Sequence, residues 1–182
     1  MGHDDNYNYN KCETTAPPPF HTADHTGKCS TPIPYLPTIH KIAQRCYSDS
    51  FPTYAFVGRT EKVEVLLNWA QTAFQYKTDE EQFGGERSLF ADESLYYPYC
   101  DCEDRSILLS VLVRDLIGLD VVLLYFPGHL ATAVKFKTEV TGDYLDLENG
   151  RYIVCDPTYI GASVGMAMPE CKRQEVQVIL LR

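Results

Sequence analysis

No stretch of this chain approaches the roughly 18 consecutive apolar residues that a membrane-spanning helix needs. The longest apolar run, Val121–Pro127, has the length of a buried strand. The amino terminus, Met1-Gly2-His3-Asp4-Asp5-Asn6, has neither the basic flank nor the apolar stretch of a secretory signal. Basic side chains are in deficit: 16 against 25 acidic ones over 182 residues, a formal charge of −9. That balance argues against nucleic acid or an anionic membrane as the partner. Internal repeats are absent. With 45% apolar and 23% charged residues, collagen-like, coiled-coil and wholly disordered chains are excluded. The length suits one domain with a tail.

Cysteine, by contrast, is plentiful. There are seven, an odd number, so at least one thiol stays unpaired or pairs outside the chain. Together with the polar start, this count fits a piece of an exported protein, periplasmic or extracytoplasmic and without its signal, better than a cytosolic one.

Proline divides the chain. Seven of eleven prolines fall between Pro17 and Pro52. Because proline removes backbone donors and is excluded from helix interiors, residues 1–55 read as an extended, irregular arm. Within it, Ile39, Ile42, Ala43 and Cys46 predict a short helix over Thr38–Cys46. Residues 56–182 carry the regular patterns. Thr60 is placed to cap a helix whose stripe is Val63, Leu66, Leu67, Ala70, Ala73 and Phe74, extending to about Lys77. Thr78–Tyr99 reads as a long aromatic loop, and loops of that length tend to be functional. A second helix is predicted from Asp101 or Cys102 to Ile117, ending at Gly118. It is apolar around so much of its circumference that it should be central and buried. Strands follow at Asp120–Phe126, His129–Lys137, near Tyr144, at Arg151–Cys155 and at Glu175–Leu181, with Asn149-Gly150 as a hairpin turn. Helices first and strands after, with short links, predict an α+β domain with a mainly antiparallel sheet.

The chemistry gathers around Cys102, at the start of the buried helix. Unpaired N–H groups there favour a thiolate and can hold an oxyanion, whereas the neighbouring Glu103 and Asp104 oppose the thiolate. A base must come from elsewhere in the chain. His129 is the one histidine after residue 40 and opens a strand. Asp156 closes another strand, just before Pro157. If those two strands pair antiparallel, His129 and Asp156 meet at one edge, where a carboxylate can orient an imidazole.

The segments Asp101–Asp104, Gly128–Val134 and Cys155-Asp156-Pro157-Thr158-Tyr159, with 27 residues from Cys102 to His129 and 27 more to Asp156, resemble the transglutaminase-like superfamily of papain-type cysteine enzymes. The resemblance spans about Glu61 to Tyr159 and is nearest to the bacterial transglutaminase-like proteins. It implies acyl transfer on peptide or amide bonds through a thioester, with Cys102 as nucleophile, His129 as base and then acid, and Asp156 as orienting carboxylate. His129 should then lie within about 4 Å of both the Cys102 sulfur and an Asp156 oxygen. The same resemblance implies an oxyanion donor upstream of the cysteine. Gln82 is preferred, with Tyr96, Tyr97 and Trp69 as alternatives. No cofactor and no metal are expected, the substrate is a protein or peptide, and hydrolysis is favoured over cross-linking. Cys100, where relatives often have glycine, and Leu130-Ala131, where an aromatic often follows the histidine, depart from the family pattern.

Other readings compete. Cys12, His21, His25 and Cys29, or Cys100, Cys102 and His129, are candidate zinc ligands, although neither spacing matches a common zinc module. A catalytically silent binding module that kept the fold is the alternative from outside enzymology.

Overall fold

The structure, a computed structural model, describes residues 58–181 and the backbone of a two-residue strand, β1, at Cys12–Glu13. The rest of the proline-rich arm, with the helix expected over Thr38–Cys46, and the side chains of Cys12, His21, His25 and Cys29 lie outside the described residues.

Helix α1 spans Arg59–Thr72. Its N-cap is Gly58 rather than Thr60, and no side chain caps it. The predicted stripe is buried at Val63, Leu66, Leu67 and Ala70, and a polar residue, Gln71, is buried with it. The helix stops five residues short of Lys77 because the chain turns into β2 (Gln75–Tyr76), which pairs in parallel with β3 (Tyr99–Cys100).

The expected long loop contains two short helices, α2 (Asp79–Phe83) and α3 (Ala91–Tyr96). Local chemistry makes each. Thr78 and Glu81 form a reciprocal capping box, and Gly84 closes α2 at φ 75°, a conformation that favours glycine. The Phe90 N–H donates to Glu93 at 3.0 Å at the start of α3.

Helix α4 runs Cys102–Leu112 and widens into a π turn over Val113–Ile117. Gly118, at φ 70°, ends it with its N–H shared between the Val113 and Arg114 carbonyls. As its composition required, the helix is central. Leu108, Leu109, Leu112 and Val113 are buried against Val63 and Leu67 of α1 and against Val121, Val134 and Cys155 of the sheet. Each such apolar side chain removed from water contributes about 1.5–3 kcal/mol.

The remaining strands are β4 (Asp120–Phe126), β5 (His129–Lys135), β6 (Tyr144–Leu147), β7 (Gly150–Cys155) and β8 (Val176–Leu180). They form a sheet in the order β1-β8-β4-β5-β7-β6, antiparallel at every pairing except β1 with β8. The turn between β6 and β7 is Glu148-Asn149, because Gly150 pairs with Leu147, one residue earlier than Asn149-Gly150 suggested. Helices α1 and α4 cover one face of the sheet. The other face carries Val122, Leu124, Phe126, Ala131, Ala133, Tyr152 and Val154, which pack with Ala167 and Cys171 from the segment leading into β8. The fold is α+β, with a buried helix on a mainly antiparallel sheet. No helix among the described residues is long and apolar enough to cross a membrane.

Candidate active site

Asp101 is the N-cap of α4, and its carboxylate accepts from the Asp104 N–H at 3.4 Å, while Asp104 accepts in return from the Asp101 N–H at 3.3 Å. Asp104 also takes the Leu89 N–H at 2.7 Å, and Asp79 takes the Arg87 N–H at 2.7 Å. Asp104 thus ties the segment between α2 and α3 to the start of α4, and Asp79 ties it back to α2. Their crowding has an electrostatic cost: burial first, then Glu103, Asp104 and Asp79, push the Asp101 carboxyl up to about 7. Burial first also pushes the Asp104 carboxyl up, to about 6, against the backbone N–H groups it accepts.

Cys102 is the first residue of α4 and is buried among Leu123, Leu130 and Ile179. One turn on, the Ser106 hydroxyl donates to the Leu130 carbonyl at 2.8 Å, so the Cys102 end of α4 docks on β5 directly beside His129. The Leu130 N–H also hydrogen-bonds the Cys102 sulfur, which favours its thiolate. Burial outweighs that contact. With the adjacent Glu103 carboxylate and Asp101, it pushes the thiol up to about 12. The helix N-terminus therefore does not by itself produce a thiolate here. In the described conformation the thiol donates to Glu103 Oε2 at 3.3 Å.

The strand register brings His129 and Asp156 together. Thr132 faces Cys155 and Ala133 faces Val154 across β5 and β7. Continuing that register sets Asp156 opposite Ala131, and His129 is its diagonal neighbour on the same face. His129 Nε2 lies 2.8 Å from Asp156 Oδ2, with the two side chains 14% and 2% exposed. Asp156 Oδ1 accepts from the Thr158 and Tyr159 N–H groups at 2.9 and 3.2 Å, which fixes the carboxylate rotation. The imidazole stacks on Phe126, its cross-strand partner, with centroids 6.3 Å apart. Strand alternation thus puts the His129 ring on the face of Phe126 and Ala131, whereas the thiol packs with Leu130 on the helix face. The imidazole–carboxylate contact is made, and the thiol's hydrogen bond goes to Glu103 rather than to His129.

The oxyanion candidates sit on the segments that precede α4. Gln82 is on α2, bonded through its backbone N–H to Thr78, and makes no hydrogen bond with Cys102. Tyr96 and Tyr97 meet edge-on, as do Tyr97 and Phe83, and Trp69 and Phe74. The phenol that sequence reading missed is Tyr76. It pairs with Cys100 across β2 and β3, and its ring faces the Arg105 guanidinium at 5.7 Å. Burial, then Cys102, Asp101 and Glu103 nearby, push that phenol up to about 12. No periodic signal marks a two-residue strand, so nothing in the sequence pointed to it.

Among the described residues, Cys100, Cys102, Cys155 and Cys171 are all free thiols. Three groups have ligand atoms close enough to hold a cation: Asp101 with Cys102 and Glu103, Asp79 with Glu86 and Glu103, and Asp79 with Asp101 and Asp104. The combination of Cys100, Cys102 and His129 is not among them.

No family model and no curated protein matches the chain. Solved structures do. Legionella pneumophila LapG matches with a TM-score of 0.50 and 15% identity, covering 76% of this chain and 81% of that one. EGTA-treated LapG matches with a TM-score of 0.53 and 13% identity over 82% and 87%. At such identities the likeness is one of fold. The chain is similar to LapG in having the α+β, papain-like core of transglutaminase-like proteins.

Proposed function

We propose that this protein is a thiol-dependent hydrolase of peptide or amide bonds, with Cys102 as nucleophile, His129 as general base and acid, and Asp156 as orienting carboxylate. The observation that carries this reading is the part-buried His129–Asp156 pair at the end of β5, beside the point where the Cys102 end of α4 docks on Leu130. The transglutaminase-like fold supports it.

With Nε2 committed to Asp156, the imidazole has Nδ1 left to receive a proton. The reaction starts when the thiol leaves Glu103 and is brought together with that nitrogen at the open end of β5, whose two faces separate them in the described conformation. His129 takes the thiol proton, and the sulfur attacks the acyl carbon. A tetrahedral oxyanion forms, which the Cys102 backbone N–H at the helix start can hold. Collapse breaks the C–N bond, the leaving amine takes the proton from His129, and a thioester remains. Water then attacks the thioester as His129 accepts its proton. Breaking the C–S bond returns that proton to sulfur and releases the acid. An amine in place of water would give cross-linking by the same steps.

A thiol probe tests the reading. Iodoacetamide at neutral pH should label Cys102 much faster than Cys100 or Cys155, and His129→Ala should slow that labelling. Equal labelling of all accessible thiols would rule it out. Incubating a glutamine-containing peptide with a primary amine separates the outcomes: amine incorporation by mass means transfer, and ammonia release without it means hydrolysis. The second reading, a silent binding module, draws its support from the Cys102–Glu103 hydrogen bond and the raised thiol. It predicts that His129→Ala leaves labelling unchanged.

A further inference from the structure

Gln71 is a polar side chain at a core position of α1, 1% exposed. Its amide is fully engaged. Nε2 donates to the Asp156 carbonyl at 3.0 Å and to the Ala162 carbonyl at 2.9 Å, and Oε1 accepts from the Gly161 N–H at 3.1 Å. These partners lie 85 to 91 residues away in the chain. They are the two ends of one loop, the one that follows β7 and holds Asp156 at its start. Inside the loop the Thr158 and Tyr159 N–H groups grip Asp156 Oδ1, leaving Oδ2 aimed at His129.

The backbone of Gln71 is held as well. Its carbonyl accepts from Arg105 Nη1 at 3.2 Å, and Arg105 stands one turn after Cys102 on α4. A line of buried polar contacts thus runs from the nucleophile helix through Arg105 and Gln71 to the loop that orients Asp156. Only an amide side chain suits the central position: two carbonyls require two donors, and the Gly161 N–H requires an acceptor.

We propose that Gln71 is a positioning residue for the triad. It clamps the 156–162 loop so that the Asp156 carboxylate meets His129 in the geometry that activates Cys102. This deepens the hydrolase reading and rests on it. Gln71 hydrogen-bonds neither the thiol nor the imidazole, and it acts through Asp156.

The test uses the full chain and iodoacetamide, with the rate of Cys102 alkylation followed by mass. Variants are Gln71→Met, which keeps the volume and loses all three bonds, Asp156→Asn, the double variant, and His129→Ala as reference. Gln71→Met should slow Cys102 by about 10- to 100-fold, the cost of a misplaced group remote from the chemistry. In the double variant the rate should fall no further than in Asp156→Asn alone, since the two act as one unit. A merely structural role would add to Asp156→Asn rather than vanish within it. If Gln71→Met does not fold, Gln71→Glu, which keeps the acceptor for Gly161 and loses the donors, takes its place in the same cycle. A rate within about twofold of the parent, or additivity with Asp156→Asn, while His129→Ala is slow, overturns the clamp and leaves the hydrolase reading standing. An unaffected His129→Ala overturns the hydrolase reading, and the clamp with it. Amide exchange gives the direct readout: the Thr158, Tyr159 and Gly161 N–H groups should exchange faster in Gln71→Met, with those of β4 unchanged.

Discussion

His129 and Asp156, 27 residues apart in the chain, meet with Nε2 2.8 Å from Oδ2, and the other carboxylate oxygen accepts two backbone N–H groups. One oxygen is held by the loop and the other by the imidazole. The carboxylate is nearly fully buried, so any partner left behind by a substitution stays out of water.

The first prediction follows from that division. Asp156→Ala strands the Thr158 and Tyr159 N–H groups and the imidazole, at a cost of about 2–4 kcal/mol. Asp156→Asn keeps an oxygen for the two N–H groups and should retain most of the stability. Urea denaturation of both variants decides it. Equal losses would mean that the backbone contacts to Oδ1 contribute little.

A second prediction concerns Glu103. Its carboxylate accepts the Cys102 thiol at 3.3 Å and raises the thiol's pKa, adding to the larger effect of burial. Glu103→Gln removes the charge, so the thiol should ionise at lower pH and be alkylated about three- to tenfold faster near neutrality. Burial remains, so the thiol should still titrate above an ordinary exposed cysteine. A slower reaction in Glu103→Gln would show that Glu103 assists the reaction of the thiol.

The contrast between Cys102 and Gln71 explains what was legible in the sequence. Cys102 at a helix start and the meeting of His129 with Asp156 read directly, because helix starts and strand ends are written in local pattern and antiparallel pairing brings the two strand ends together. The long stripes of α1 and α4 read equally well, since each spans several turns. Gln71 looks like a break in an apolar stripe, and its partners lie far along the chain, so no local pattern announces them. Helices α2 and α3 have five and six residues, too few for a period to emerge, and their capping residues were the available signal. The Cys102–Glu103 contact depends on a side-chain rotamer, which sequence does not encode.

Arg105 carries the third prediction. This guanidinium is 1% exposed and donates to the carbonyls of Gln71 and Phe74, where α1 ends, at 3.2 and 3.0 Å. Those carbonyls have no helical partner beyond the last turn, so the arginine acts as a remote C-cap. Arg105→Met should cost about 2–4 kcal/mol in chemical denaturation, mostly from two buried acceptors left unpaired. Arg105→Lys, with one compact ammonium, should recover part of it. A neutral Arg105→Met would mean that the end of α1 is held by apolar packing alone.

The last prediction is a pH dependence of stability. The carboxyls of Asp101 and Asp104 are pushed up to about 7 and about 6, burial being the largest cause in each. In the unfolded chain both return to the ordinary value near 3.8. Between the unfolded and folded values the native state holds protons that the unfolded state has released. Stability is therefore fully present below the unfolded value and is lost as pH rises through the folded one. Asp101→Asn removes one such carboxyl yet keeps an oxygen to cap the Asp104 N–H. The variant should melt higher than the parent at about pH 8, and that advantage should shrink as pH falls to about 5. Thermal melts of both proteins at matched ionic strength measure the difference. An advantage that stays constant with pH would mean that the substitution acts through packing and that Asp101 is not held partly protonated by its surroundings.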